Sequence, residues 1–189
     1  MKRQQLLDNA LALFVANGVQ ATSTASIARK AGVATGTLFH HFANKQDLVD
    51  TLYLEAKQDL AQVLSAPPDT TALEDQLQQL WSRALEWAVT HPNQLKLMLQ
   101  LNHDPAYPIS RHQDLMLTTM GFIGERVEQA QRQGQLAPLP VPLVLSFFRQ
   151  HFLSTAQLFI EQPELGQQTQ YQQGAFQILW QGLQPVTQP

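Results

Sequence analysis

The chain has no cysteine, which removes disulfide staples, thiolate metal sites and a cysteine nucleophile, and which fits a reducing cytoplasm. Charge is scarce too. Only 14% of residues are Asp, Glu, Lys or Arg while 44% are hydrophobic, a balance too apolar for a disordered chain. Long apolar runs are missing: the stretch from Leu136 to Phe148 is broken by Pro138, Pro140 and Pro142 and is too short to span a bilayer. The expectation is a protein that stays off membranes. Lys2 and Arg3 are followed by Asp8 and Asn9, which interrupt any apolar core of an export signal. Also absent are a Gly-x-Ser-x-Gly nucleophile elbow, a Walker loop and a GxGxxG fingerprint. No catalytic residue, metal or cofactor is therefore expected. Period-two alternation is missing as well, so no strand ladder is anticipated, and the abundance of Leu, Ala and Gln favours helices.

With 189 residues there is enough chain for one large core plus a small accessory unit. The net charge of −3 argues against nucleic-acid binding until the charge is located. Residues 1 to 50 hold five basic and three acidic side chains, a net of +2, and residues 51 to 189 hold seven and twelve, a net of −5. The positive end is the N-terminal one, and a phosphate backbone responds to charge locally, within a Debye length of roughly 8–10 Å.

The apolar spacing predicts an all-α chain. A first helix over about 4–16 carries Leu6, Ala10, Leu13 and Phe14 on one face and closes at Gly18. Thr24 can cap a second helix through Ala31, Gly32 turns the chain, and a third covers about 35–41. Asn44 and Asp47 resemble a capping box for a long helix to Leu64. The segment Ser65 to Asp69 breaks the pattern with paired prolines, and Asp104 to Pro108 reads as a loop. Further helices are expected near 73–90, 93–100, 110–133 and 142–161, and a last one over 165–183.

Residues 24–42 have the layout of a helix-turn-helix: Ile27, Ala28, Ala31, Val33, Leu38 and Phe42 form a small core, and Gly32 sits at the turn. Gly36 keeps the second helix slim enough to approach a groove. Two short helices of any bundle could share this spacing.

The Phe14 to Gly18 helix ending, then Ile27-Ala28, Ala31-Gly32-Val33, Gly36-Thr37-Leu38-Phe39, His41-Phe42 and Lys45 with Leu48, resemble the DNA-binding signature of TetR-family regulators over about residues 4–52. The resemblance implies a helix-turn-helix domain over 1–45 and a ligand-binding, dimerising domain over 46–189. It implies that residues 35–41 are the recognition helix and that Thr24 and Lys45 hold phosphate. The helix dipole at Lys45 adds to such a contact. Thr35, Gly36, Thr37, Phe39 and His40 complete the expected DNA face. Two positions depart from the pattern. Phe39 replaces the usual Tyr and can pack only against sugar or a thymine methyl. Ala34 replaces a capping Ser, so that Thr35 caps the helix or the end stays uncapped.

The six histidines contain no His-x-x-x-His pair and lie on different elements, which argues against zinc. Trp81, Met98, Asn102, His103, Met116, Met120, Arg126 and His151 are the candidate lining of an effector pocket, although large apolar residues are more often plain core. Between Leu143 and Phe159 apolar residues occupy nearly every face, and Gly174, Ile178 and Gly182 recur at four-residue spacing. Phe147, Phe148, Phe152, Tyr171, Gly174, Ala175, Ile178 and Gly182 are thus the candidate homodimer interface. The expected function is a DNA-binding transcriptional regulator, a repressor released from a palindromic operator on double-stranded DNA by a small-molecule effector. The rival readings are a helical protein-interaction module and an enzyme built on a bundle.

Overall fold

The computed structural model describes residues 2–65, 72–105, 107 and 109–185, with side chains throughout except at 109–113, 115 and 116. Among the described residues the regular structure is all helical, as the missing alternation requires. Part of the Ser65 to Asp69 break (66–69), and Ala106 and Pro108 of the Asp104 to Pro108 loop, lie outside the described residues.

The chain packs as two compact units. The first comprises Met1–Asp59 and His91–His112. It contains α1 (Lys2–Asn17), α2 (Thr24–Lys30), α3 (Thr35–His41), the first part of α4 (Lys45–Ser65), and α6 (Pro92–Asn102). Helix α1 buries Leu6, Leu7, Ala10 and Phe14, an i, i+4, i+8 row that faces inward on a 3.6-residue period. Ile27 and Ala28 of α2, Leu38 of α3, Phe42 and Leu48 complete that core. Each fully buried Leu, Ile or Phe contributes about 1.5–3 kcal/mol relative to exposure. Gly18 ends α1 at φ 86° and Gly32 turns the chain at φ 67°, both in the left-handed region that glycine enters without a Cβ clash.

The expected boundary at residue 45 is not where packing divides the chain. Helix α6 belongs with the N-terminal helices because its row Leu95, Met98 and Leu101, fully buried, packs with α1.

The second unit comprises Leu60–Thr90 and Gln113–Pro189. It holds α5 (Leu73–Thr90), most of α7 (Ile109–Arg132), α8 (Val141–Glu161), α9 (Pro163–Gly166) and α10 (Thr169–Leu183). Trp81, Ala84, Leu85 and Ala88 of α5 are buried, as are Leu153, Ala156 and Phe159 of α8 and Phe176, Leu179, Trp180 and Leu183 of α10. Two elements differ from expectation. The last helix, expected to be continuous over 165–183, is split between α9 and α10. Helix α9 closes at Gly166, where an added Cβ would stand 3.0 Å from the Phe159 side chain and require it to shift, and α10 starts afresh at Thr169. Helix α7 is kinked at Met120, with φ −133° and ψ 24°, directly before Gly121, where helix propensity is low.

Candidate nucleic-acid interface

Helix α2 is capped from outside its own first residue. The Ser23 hydroxyl accepts from the Ser26 amide at 3.1 Å, and the Ser26 hydroxyl donates to the Ser23 carbonyl at 2.7 Å. The expected cap, Thr24, is instead the first helical residue. The reason is local: Ser23 has the extended backbone, φ −90° and ψ 151°, that aims a hydroxyl at the first turn. The Thr24 hydroxyl is consequently left without a bond among the described residues.

Helix α3 begins at Thr35, as expected, with Ala34 at the capping position and no side-chain cap. Leu38 is fully buried and fastens the helix to α1 and α2. The opposite side is bare. Thr35, Gly36, Phe39 and His40 are exposed and Thr37 is half-buried, and Phe39 shows 49% of its surface to solvent. A Cβ built on Gly36 meets no atom within 4 Å, so nothing in the chain's own packing requires glycine there. His40 and His41 lie edge to face with ring centroids 5.3 Å apart.

Helix α4 starts at the expected cap, with the reciprocal bond of the box displaced by one residue to Ala43. Asn44 Oδ1 accepts from the Asp47 amide at 2.8 Å, while Asp47 Oδ2 accepts from the Ala43 amide at 2.9 Å. Lys45 is committed inward. Its ammonium donates to the carbonyls of Val19 at 3.1 Å, Thr22 at 3.3 Å and Gln20 at 3.4 Å, which engages all three of its protons. It ties the α1–α2 turn to α4, and a phosphate would have to compete with those carbonyls.

Behind the exposed face, contacts far apart in sequence brace the unit. Gln100 Nε2 donates to the Phe14 carbonyl at 3.0 Å, Tyr107 donates its hydroxyl proton to Asp50, and Gln46 Nε2 donates to the Tyr107 oxygen at 2.8 Å. Arg3 lies 5.3 Å over the Phe42 ring and pairs with Glu55 at 3.2 Å. The sequence reading missed Gln100, Gln46 and Tyr107, because no local pattern announces pairs this distant. The Ser23–Ser26 spacing was the one signal that could have corrected the α2 cap.

Two short helices joined by a tight glycine turn and packed through Ile27, Ala28 and Leu38, with the outer face of the second left open, are a helix-turn-helix arrangement. Residues 6–52 match the family model for bacterial regulatory proteins of the tetR family. Over 51 residues the chain is 45% identical to the transcriptional repressor KstR2 of Mycobacterium tuberculosis, a match covering 27% of this chain and 26% of that protein. The aligned part thus spans about a quarter of that relative's length. Over 155 residues it is 29% identical to the HTH-type regulator YvkB of Bacillus subtilis, covering 77% and 80% of the two chains. A crystal structure of a TetR-family transcription regulator from Shewanella sp. PV-4 superposes with a TM-score of 0.91 at 36% identity, covering 97% of this chain and 98% of that one.

The chain belongs to the TetR family. As in other TetR-family regulators, its helix-turn-helix is a DNA-binding unit, and the relatives that it matches regulate transcription rather than catalyse reactions.

The expected pocket lining does not assemble in one unit. Trp81, Met120, Arg126 and His151 fall in the second unit, and Met98, Asn102 and His103 fall in the first. Met98 is core, 2% exposed on the α6 row that packs with α1. The side chain of Met116 lies outside the described residues. Within the second unit Trp81 stacks on His151 at 5.1 Å and His151 on Phe147 at 6.0 Å, His151 Nε2 sits 2.8 Å from the Ala175 carbonyl, and Arg126 lies 5.4 Å over Phe122. Among the described residues no group of three or more His, Cys, Asp or Glu is placed to hold a metal, and no helix is long and apolar enough to cross a membrane.

Proposed function

We propose that this TetR-family chain is a homodimeric repressor that grips a palindromic operator through α3 and releases it when a small apolar molecule enters the second unit. The open outer face of α3 carries the reading: Thr35, Gly36, Phe39 and His40 are exposed, and an added Cβ on Gly36 would meet nothing within 4 Å. In this reading Thr24 holds a phosphate, residues 1–45 form the DNA-binding domain and 46–189 the ligand-binding and dimerising one, with α6 as a brace on the former. Operator DNA of a bacterium lies in the cytoplasm, and the protein acts there.

The dimer reading is supported by apolar surface that the single chain leaves open. Leu143, Phe147, Tyr171 and Ile178 are exposed, Ile178 at 61%, and Cβ atoms on Gly174 and Gly182 would meet nothing within 4 Å. Two such α8–α10 faces closing around a two-fold axis make an isologous interface, and the symmetry sets two copies of α3 one or more DNA turns apart, roughly 34–36 Å per turn. An effector in the second unit is supported by the indole N–H groups of Trp81 and Trp180, which are buried with no hydrogen-bond partner among the described residues. A buried orphan donor is costly unless a partner arrives. The test is a gel shift with DNA selected from a random library: a complex that forms on the selected sequence and weakens steeply with salt supports the reading. A chain that retains no DNA even at low salt overturns it.

A further inference from the structure

Helix α3 reads Thr35-Gly36-Thr37-Leu38-Phe39-His40-His41, and what it lacks restricts how it can recognise a base pair. Guanine is read bidentately by Arg or Lys, adenine by Asn or Gln, and the cytosine amino group by Asp or Glu. None of those six residue types occurs on α3. Its one buried side chain is Leu38, and its one exposed large apolar side chain is Phe39, at 49%. Phe39 forms no ring pair among the described residues. A phenyl ring can neither donate nor accept at a base edge, and the apolar feature that base pairs present in the major groove is the thymine C5 methyl.

We propose that this regulator reads its operator through thymine methyl groups, with Phe39 as the specificity-determining residue. The inference rests on the reading that α3 enters the major groove, and it goes further by naming the base feature recognised. Thr35 and Thr37 extend the same chemistry: each adds a methyl, and each hydroxyl is free of bonds among the described residues, ready to donate or accept at a neighbouring base edge or phosphate. Gly36 lets the backbone approach, because no side chain projects from it and its surroundings are open. His40 offers one ring nitrogen at a time to a base edge and cannot bracket guanine as a guanidinium does. The formal positive charge of the neighbouring helices, Lys2 and Arg3 on α1 and Arg29 and Lys30 on α2, lies off α3, so backbone attraction and base reading are divided between elements.

The experiment uses the full chain and its own selected operator, resynthesised with deoxyuridine in place of each thymine in turn, which deletes one methyl and nothing else. The expected result is that one or two thymines per half-site lose about four-fold in affinity on conversion to uracil, the factor that burial of one methyl-sized group corresponds to. Phe39→Ala should bind thymine and uracil operators equally at those positions, and Phe39→Leu should keep part of the discrimination. The exposure of Phe39 leaves the fold of both variants intact, which thermal melts verify. Tight operator binding that ignores every thymine-to-uracil change, as ring packing on deoxyribose would produce, overturns the inference while leaving the DNA-binding reading in place. So does undiminished discrimination by Phe39→Ala. Failure to select any DNA overturns both.

Discussion

The side-chain amide of Gln100 donates to the backbone carbonyl of Phe14 at 3.0 Å, joining residues 86 positions apart. It reaches the last turn of α1. The Phe14 carbonyl also accepts from the Gly18 amide at 2.8 Å, so that losing the glutamine leaves it bonded once. Gln100→Met, which keeps the volume and removes the donor, should cost about 1 kcal/mol in urea unfolding. A cost near zero would mean that α6 is held to α1 by its apolar row alone.

Lys45 is the sharper case, because three carbonyls share its ammonium. Lys45→Ala strands part of that cluster and should lower stability by about 1–3 kcal/mol. Its effect on DNA binding separates two roles. A lysine spent on carbonyls leaves the slope of log K against log salt unchanged, and that is the expected outcome, whereas a phosphate contact would reduce the slope by about one.

Gly36→Ala sets stability against function. Alanine is favoured over glycine inside a helix by about 1 kcal/mol, and the added methyl meets nothing within 4 Å in the chain. The variant should therefore melt higher and bind operator more weakly. Operator affinity equal to that of the parent protein would place Gly36 outside the groove.

Ala34 leaves the start of α3 without a side-chain cap. Ala34→Ser supplies an acceptor for the first turn and should add about 0.5–1 kcal/mol, read as a rise in the urea midpoint at constant m-value. An unchanged midpoint would show that solvent already satisfies those amides fully.

Ile178 is 61% exposed in the single chain, so Ile178→Asp should leave each protomer folded. Across a two-fold interface it would bury two like charges facing each other, and sedimentation should then show monomers that no longer hold a palindromic operator. An undisturbed dimer would move the interface away from α10.

Much of the helical layout was legible because helices are announced locally. The row Leu6, Ala10 and Phe14, the glycines at 18 and 32, and the Asn44–Asp47 box each act within a turn or two of their own position. Errors arose where no local pattern marked the outcome. The last helix is broken between Gly166 and Thr169 although its apolar spacing is continuous.

By itself the sequence determined that the chain is helical and where its first helices turn, since periodicity, turn glycines and cap residues are short-range properties of the backbone, and the resemblance over residues 4–52 marked residues 24–42 as a helix-turn-helix. Tertiary structure alone decided that α6 packs with the N-terminal helices, that Met98 is buried in that unit, and that Lys45 points at Val19, Gln20 and Thr22. An apolar stripe states that a helix must be covered and is silent on which helix covers it, and an ammonium takes whichever acceptors the folded chain brings within reach.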